Sequence, residues 1–172
     1  NALAFSTATD VIDVTVTPVS DTPVNTVPAV AGTSRNTPLV FSIANGNSLS
    51  VTDADNNLAS ARVTVTNGIA NVTLAGGATI SAGANGSATL TISGTQAAIN
   101  ATLNGLTYTP TAGYSGAATL TLLSTDATSP APLTDSDVVN ITVAAFTATP
   151  PRIDLDDSSA SQKAGDDLGS NS

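Results

Sequence analysis

"ARVTVTNGIANVTLAG", residues 61 to 76, decides the class of fold. Two segments in which apolar and polar residues alternate flank Asn67 and Gly68, the pair that most readily takes the positive backbone angles of a tight turn. The stretch therefore predicts a β-hairpin. Further along, "SATLTISG" at 87 to 94 puts Leu90 and Ile92 on one face, and "AATLTLLSTD" at 117 to 126 does the same with Leu120 and Leu122. Between them the period changes. In "GTQAAINATLNGL", Ala98, Ile99, Leu103 and Leu106 recur at three and four residues, Thr95 can cap the start and Gly105 can end it. One short helix near residues 95 to 104 is expected among strands. Short strands separated by turn signals predict an all-β fold, a Greek-key β-sandwich of about seven strands, with a closed barrel as the alternative.

Composition agrees. The apolar residues are mostly Val, Leu, Ile and Ala, threonine is abundant, and the only aromatics are three Phe and two Tyr, a palette that suits half-buried pleated surfaces. At 172 residues the chain can bury a real core. Thirteen aspartates against four Lys and Arg leave a net charge of -9, which repels nucleic acid and anionic membranes. No apolar run approaches the roughly 20 residues that span a bilayer, so membrane insertion is not expected. The chain starts at Asn1 and lacks methionine, and is expected to have been processed or cut from something longer.

One strand pattern occurs twice. "TDVIDVTV" at 9 to 16 carries Ile12, Val14 and Val16 on one face, and "SDVVNITV" at 136 to 143 carries Val139, Ile141 and Val143 at the matching places, 127 residues downstream. A repeat at that spacing suggests tandem domains. Residues 1–17 are then the terminal strand of a preceding repeat, or a strand donated to another subunit. Residues 18–27 form a linker, because the prolines and turn formers of "PVSDTPVNTVP" disfavour any regular element. Residues 28–145 form the sandwich. Residues 146–172 hold a second junction and either the start of another repeat or a poorly ordered tail.

"SLSVTDAD", "ARVTVTNG", "ISGTQAAINATLNGLTYTPTAGYSGAATLTLLSTD" and "LTDSDVVNITVAAF" together resemble the cadherin-like repeats found in tandem in large bacterial surface and biofilm adhesins, including repeat-in-toxin-type proteins. The likeness covers residues 1 to about 145 and is most specific from Gly94 to Asp126. It implies a calcium-stiffened extender of an extracellular adhesin or surface fibre, working in cell adhesion or biofilm formation, whose partners are neighbouring repeats or copies of itself. In such repeats an Asp-x-Asp pair, a late strand-end Asp and a linker Asp converge on calcium. Asp53 and Asp55 match the pair, Asp126 the late residue and Asp21 the linker, with Asp135 and Asp137 as further candidates.

Calcium wants six to eight oxygen ligands, and the carboxylates cluster in a way that could supply them, with Asn56 and Asn57 beside the pair. The competing reading is that these aspartates sit in turns and accept hydrogen bonds from nearby backbone amides. Catalysis is not expected, since there is no His or Cys and a hydroxyl nucleophile lacks its usual base. Two further readings stay open. Tyr108 and Tyr114 could stack on a glycan in a calcium-dependent carbohydrate-binding sandwich, or serve as core and corner residues. If Asn1 is a mature terminus, strand 10–16 could pair with a sheet edge of a neighbouring copy and link subunits into a filament.

Overall fold

In the computed structural model, which describes residues 12–16, 19–128 and 131–146, the alternating stretches become strands and the three-and-four stretch a helix. In chain order these are β1 (Val24–Thr26), β2 (Val30–Ser34), β3 (Leu39–Val40), β4 (Ser50–Thr52), β5 (Leu58–Val65), β6 (Gly68–Asn71), β7 (Thr79–Gly83), β8 (Thr89–Ser93), α1 (Gln96–Leu103), β9 (Thr107–Pro110), β10 (Gly116–Asp126) and β11 (Thr134–Ala144). One layer is a six-stranded sheet in the order β2-β11-β10-β5-β8-β7. The β1-β4 pair, the β3-β9-β6 sheet and α1 supply the rest. All pairings are antiparallel except β2 with β11, which is parallel. The fold is an all-β sandwich with one short helix, as its periodicities imply.

A single core joins the elements. Val63, Leu90, Ile92, Leu120, Leu122 and Ile141 from the large sheet meet Phe41, Leu49, Val51, Ile99, Leu103 and Tyr108 from the other side. Helix α1 forms where expected. The Thr95 side chain accepts from the Ala98 amide at 3.2 Å, Ile99 and Leu103 face the core, and Gly105 carries φ +123° just beyond the end. Two side chains of α1 also treat β4 as a strand would. Asn100 Oδ1 accepts from the Val51 amide and its Nδ2 donates to the Val51 carbonyl, both at 2.8 Å, while Gln96 Oε1 accepts from the Asp53 amide at 2.7 Å. The helix thereby saturates an edge that no strand reaches.

Two expectations require correction. The stretch around Asn67 and Gly68 is not a hairpin: β5 pairs with β10 and β8, whereas β6 pairs with β9 in the other layer. Asn67 does adopt φ +54°, but the chain there turns a corner between sheets. That corner lets Val63 and Val65 enter the core from one layer and Ala70 and Val72 from the other, which a hairpin within one sheet cannot do. It is pinned from a distance. Asn67 Nδ2 donates to Tyr114 Oη at 2.9 Å, and Tyr108 Oη donates to the Thr66 and Asn67 carbonyls at 3.1 Å. Gly68 is required because a Cβ there would lie 2.4 Å from the Tyr108 ring and 2.5 Å from the Thr109 carbonyl.

The second correction concerns the linker, where β1 lies inside the proline-bracketed stretch expected to be irregular. Pro23 and Pro28 flank β1 without entering it. Pairing with β4 and a bond from the Asn25 amide to Asp135 Oδ2 at 2.7 Å satisfy its backbone. Residues 12–16, expected as a strand that belongs to a preceding repeat or is donated to another subunit, pair with nothing among the described residues. Ile12, Val14 and Val16 are 84%, 79% and 81% exposed, whereas their counterparts Val139, Ile141 and Val143 in β11 are 0%, 1% and 2% exposed. The remainder of 1–17, and the tail from 147 onward with Asp154, Asp156 and Asp157, lie outside the described residues.

Candidate functional site

Strand β10 turns Ala118, Leu120, Leu122 and Ser124 into the core, and the same face ends on Asp126, which is 1% exposed. A carboxylate carried to the end of a core face must find donors or remain protonated. Asp126 finds four. Its Oδ1 accepts from the Leu133 amide at 2.7 Å and the Thr128 amide at 3.2 Å, and its Oδ2 from the hydroxyls of Thr128 and Ser20. Burial pushes its pKa up, but the hydrogen bonds from Thr128, Leu133 and Ser20 outweigh burial and hold the carboxyl below its ordinary value.

Asp53 and Asp55 come to the same pole on the turn after β4. Asp53, 4% exposed, accepts from the Asp55 amide at 3.0 Å, and Asp55 Oδ2 accepts from the Asp21 amide at 2.6 Å. Asn57 closes the network. With its nitrogen facing Asp53, it donates to both carboxylate oxygens at 3.0 and 3.1 Å, and its oxygen, 3.1 Å from Ser20 Oγ, shares the single Ser20 hydroxyl proton with Asp126. The opposite orientation would set its amide oxygen against a carboxylate, two acceptors face to face. A chain of contacts thus runs from Asp21 through Asp55, Asp53, Asn57 and Ser20 to Asp126, tying the segment that enters the sandwich to the ends of β4 and β10.

Four of the six candidate metal ligands therefore share one pole, and two do not. Asp135 is committed to the Asn25 amide, and Asp137 stands opposite Leu122 in the β10-β11 ladder. The four at the pole meet as links in a hydrogen-bond chain: among the described residues, no three acidic side chains group closely enough to hold a metal ion. Asp126, whose oxygens already accept four bonds, does not fit a calcium ligand in this arrangement. Asp21 and Asp53 border a cleft that is also lined by Thr22, Val24, Thr52 and Gln96, and with Asp55 they do not group closely enough to hold an ion in this arrangement.

Ser20, Thr128 and Gln96 are the pole residues that sequence reasoning missed. The signal for Ser20 was its place in "SDTP", where a hydroxyl precedes the candidate linker aspartate. Nothing local marks Gln96, since its partner lies 43 residues away. The tyrosines are structural. Tyr108 is fully buried, and burial, with Tyr114 nearby, pushes its phenol up; Tyr114 Oη is bonded to the Ala117 carbonyl and Asn67. Tyr108 has no ring face to offer a sugar.

No protein-family model matches the chain, and no curated protein matches it. Among solved structures it is similar to the crystal structure of AggA, the major subunit of aggregative adherence fimbriae type I from Escherichia coli, with 18% identity, a TM-score of 0.36, and coverage of 72% of this chain and 93% of that one. No helix of the described residues is long and apolar enough to cross a membrane.

Proposed function

We propose that this chain is a non-enzymatic structural module of an extracellular adhesive fibre, and that residues 12–16 complete a sheet outside their own sandwich, in an adjoining repeat or a second copy. One observation carries the reading. The same three-position apolar stripe is buried in β11 and bare in 12–16. At about 25 cal/mol per Å² of apolar surface, three exposed β-branched side chains favour a partner. The cadherin-like likeness of the sequence supplies the setting.

Aspartate at positions 12 and 14 tests this. Ile12→Asp with Val14→Asp should abolish self-association, read by sedimentation velocity up to millimolar protein, and leave the melting temperature of the sandwich unchanged. A marked fall in melting temperature with no change in association would show that the segment packs on its own sandwich, and the reading would fail.

Calcium stiffening is the finer part of the proposal. Asp21, Asp53 and Asp55 would have to draw together around the ion, with Asn57 beside them, and a cation there would fasten the entering segment to the end of β4. A ligand bound only by the folded state stabilises it by mass action, so millimolar calcium should raise the melting temperature over that in chelator. An unchanged value removes calcium from the proposal without touching the fibre role.

A further inference from the structure

A sandwich that offers a bare strand must also present an edge to receive it, and edges are where strands add. Most edges here are blocked by the chain itself. Gln96 and Asn100 occupy the outer side of β4. Along β6, Ala70 bonds Ser87 and Gly86 through its backbone, and just beyond it Asn85 accepts from the Val72 amide at 2.8 Å and donates to its carbonyl at 2.9 Å. The side-chain amides of Asn45 and Asn47 both donate to the Val40 carbonyl at the end of β3. Asp135 takes the Asn25 amide of β1. Strand β7 is interrupted by a bulge between Ile80 and Ala82 and ends on Gly83 at φ +73°.

Strand β2 lacks such guards over Val30 and Gly32, although its far end is held by a turn in which the Thr37 amide bonds the Ser34 carbonyl. It closes one end of the six-stranded sheet, and among the described residues its only strand partner is β11. The Asn140 amide donates to the Ala29 carbonyl and the Arg35 amide to the Ala144 carbonyl. By the parity of a strand, Ala31 and Thr33 therefore bond toward β11, while Val30 and Gly32 turn their backbone groups to the open side; Ser34 faces the same way, but its carbonyl already accepts from the Thr37 amide at 3.0 Å. No side chain of the described residues bonds the backbone of Val30 or Gly32. Neither proline nor a charged residue lies within Val30–Ser34, and Val30 is 73% exposed.

We infer that the free edge of β2 is the acceptor for residues 12–16 of a second copy, which add to the six-stranded sheet as a seventh strand. The inference rests on the fibre reading above and names its contact surface. The donor repeats the pattern of β11, the strand that β2 already pairs with, so its alternation suits the same sheet: Ile12, Val14 and Val16 follow one face while Asp13 and Thr15 follow the other. Because donor and acceptor are different surfaces of one chain, the contact is heterologous and, where its rotation does not close into a ring, propagates head to tail.

Gly32→Pro is the sharpest test, since it deletes an outward-facing N–H and no bond to β11. It should weaken self-association at least tenfold with the melting temperature preserved, and Val30→Lys should act in the same direction. In the unsubstituted protein, a synthetic peptide of residues 10–16 at millimolar concentration should shift the amide resonances of Val30, Gly32 and Ser34 and compete with association. If Ile12→Asp blocks association but folded Gly32→Pro and Val30→Lys do not, the β2 assignment is overturned and the fibre reading survives. A chain that stays monomeric at every concentration overturns both. Should Gly32→Pro fail to fold, the peptide decides: resonances at 30, 32 and 34 that do not move overturn the assignment.

Discussion

Replacing Asn100 by alanine should cost far more than a half-buried asparagine on an eight-residue helix ordinarily would. The side chain makes two 2.8 Å bonds to the main chain of Val51, which is fully buried. Each such bond contributes about 1 kcal/mol net, and stranding a buried amide or carbonyl adds roughly 1 kcal/mol more, giving a loss of ~2.5–3 kcal/mol. Alanine returns about 0.6 kcal/mol of helix propensity, leaving a net loss of ~2 kcal/mol. For a domain of this size that corresponds to a fall in melting temperature of about 6–12 °C, readable by circular dichroism. Asn100→Asp sharpens the experiment, because it keeps an acceptor for the Val51 amide but sets an anion against the Val51 carbonyl. It should be at least as damaging at neutral pH. If both variants melt within about 2 °C of the parent, the β4 edge is satisfied by something other than α1, and the account of the helix as a surrogate strand is wrong.

Gly68→Ala should destabilise by about 2 kcal/mol or more, since a methyl 2.4 Å from the Tyr108 ring meets a backbone carbonyl as well and neither can yield cheaply; a melting temperature equal to the parent's would refute the close-approach argument. Asp126 links stability to acid. Its folded pKa lies below the ordinary value, so its contribution is fully present above the unfolded carboxylate pKa of about 3.9 and is lost as pH falls through the lower folded value. Between about pH 5 and pH 2, Asp126→Asn should therefore lose less stability than the parent, and identical acid titration curves would contradict this. Asp55→Ala should release the Asp21 amide, seen as faster hydrogen exchange at that residue in chelator while the amides of β10 and β11 keep their protection.

Much of the fold was legible because periodicity reports burial, and burial is what the core imposes: Leu90, Ile92, Leu120 and Leu122 are all buried where alternation puts them, and Thr95 caps the helix as its position implies. What failed were inferences about partners. Asn67 and Gly68 specify a turn equally well inside one sheet or between two, and the choice is made by Tyr108 and Tyr114, more than 40 residues away. Strand β1 was hidden because its prolines argue against a strand, while the groups that accept it, β4 and Asp135, are remote in sequence. The pole was half legible for the same reason. Asp53, Asp55, Asp126 and Asp21 do share it, but whether neighbouring carboxylates meet an ion or backbone amides depends on ångström distances that composition does not encode, and Asp135 and Asp137 went to the body of the sandwich.

The parallel pairing of β2 with β11 has a mechanical meaning. The chain enters β2 at one end of the ladder and leaves β11 at the other, and the pair shares five register positions, from Val30 opposite Asn140 to Ser34 opposite Ala144. Tension between the two ends would pull these strands along their length in opposite directions. All the rungs would then bear load together, whereas a hairpin pulled open from its tip would lose them one at a time. A ladder loaded in this way fails by shear of all its rungs together, not by unzipping one rung at a time.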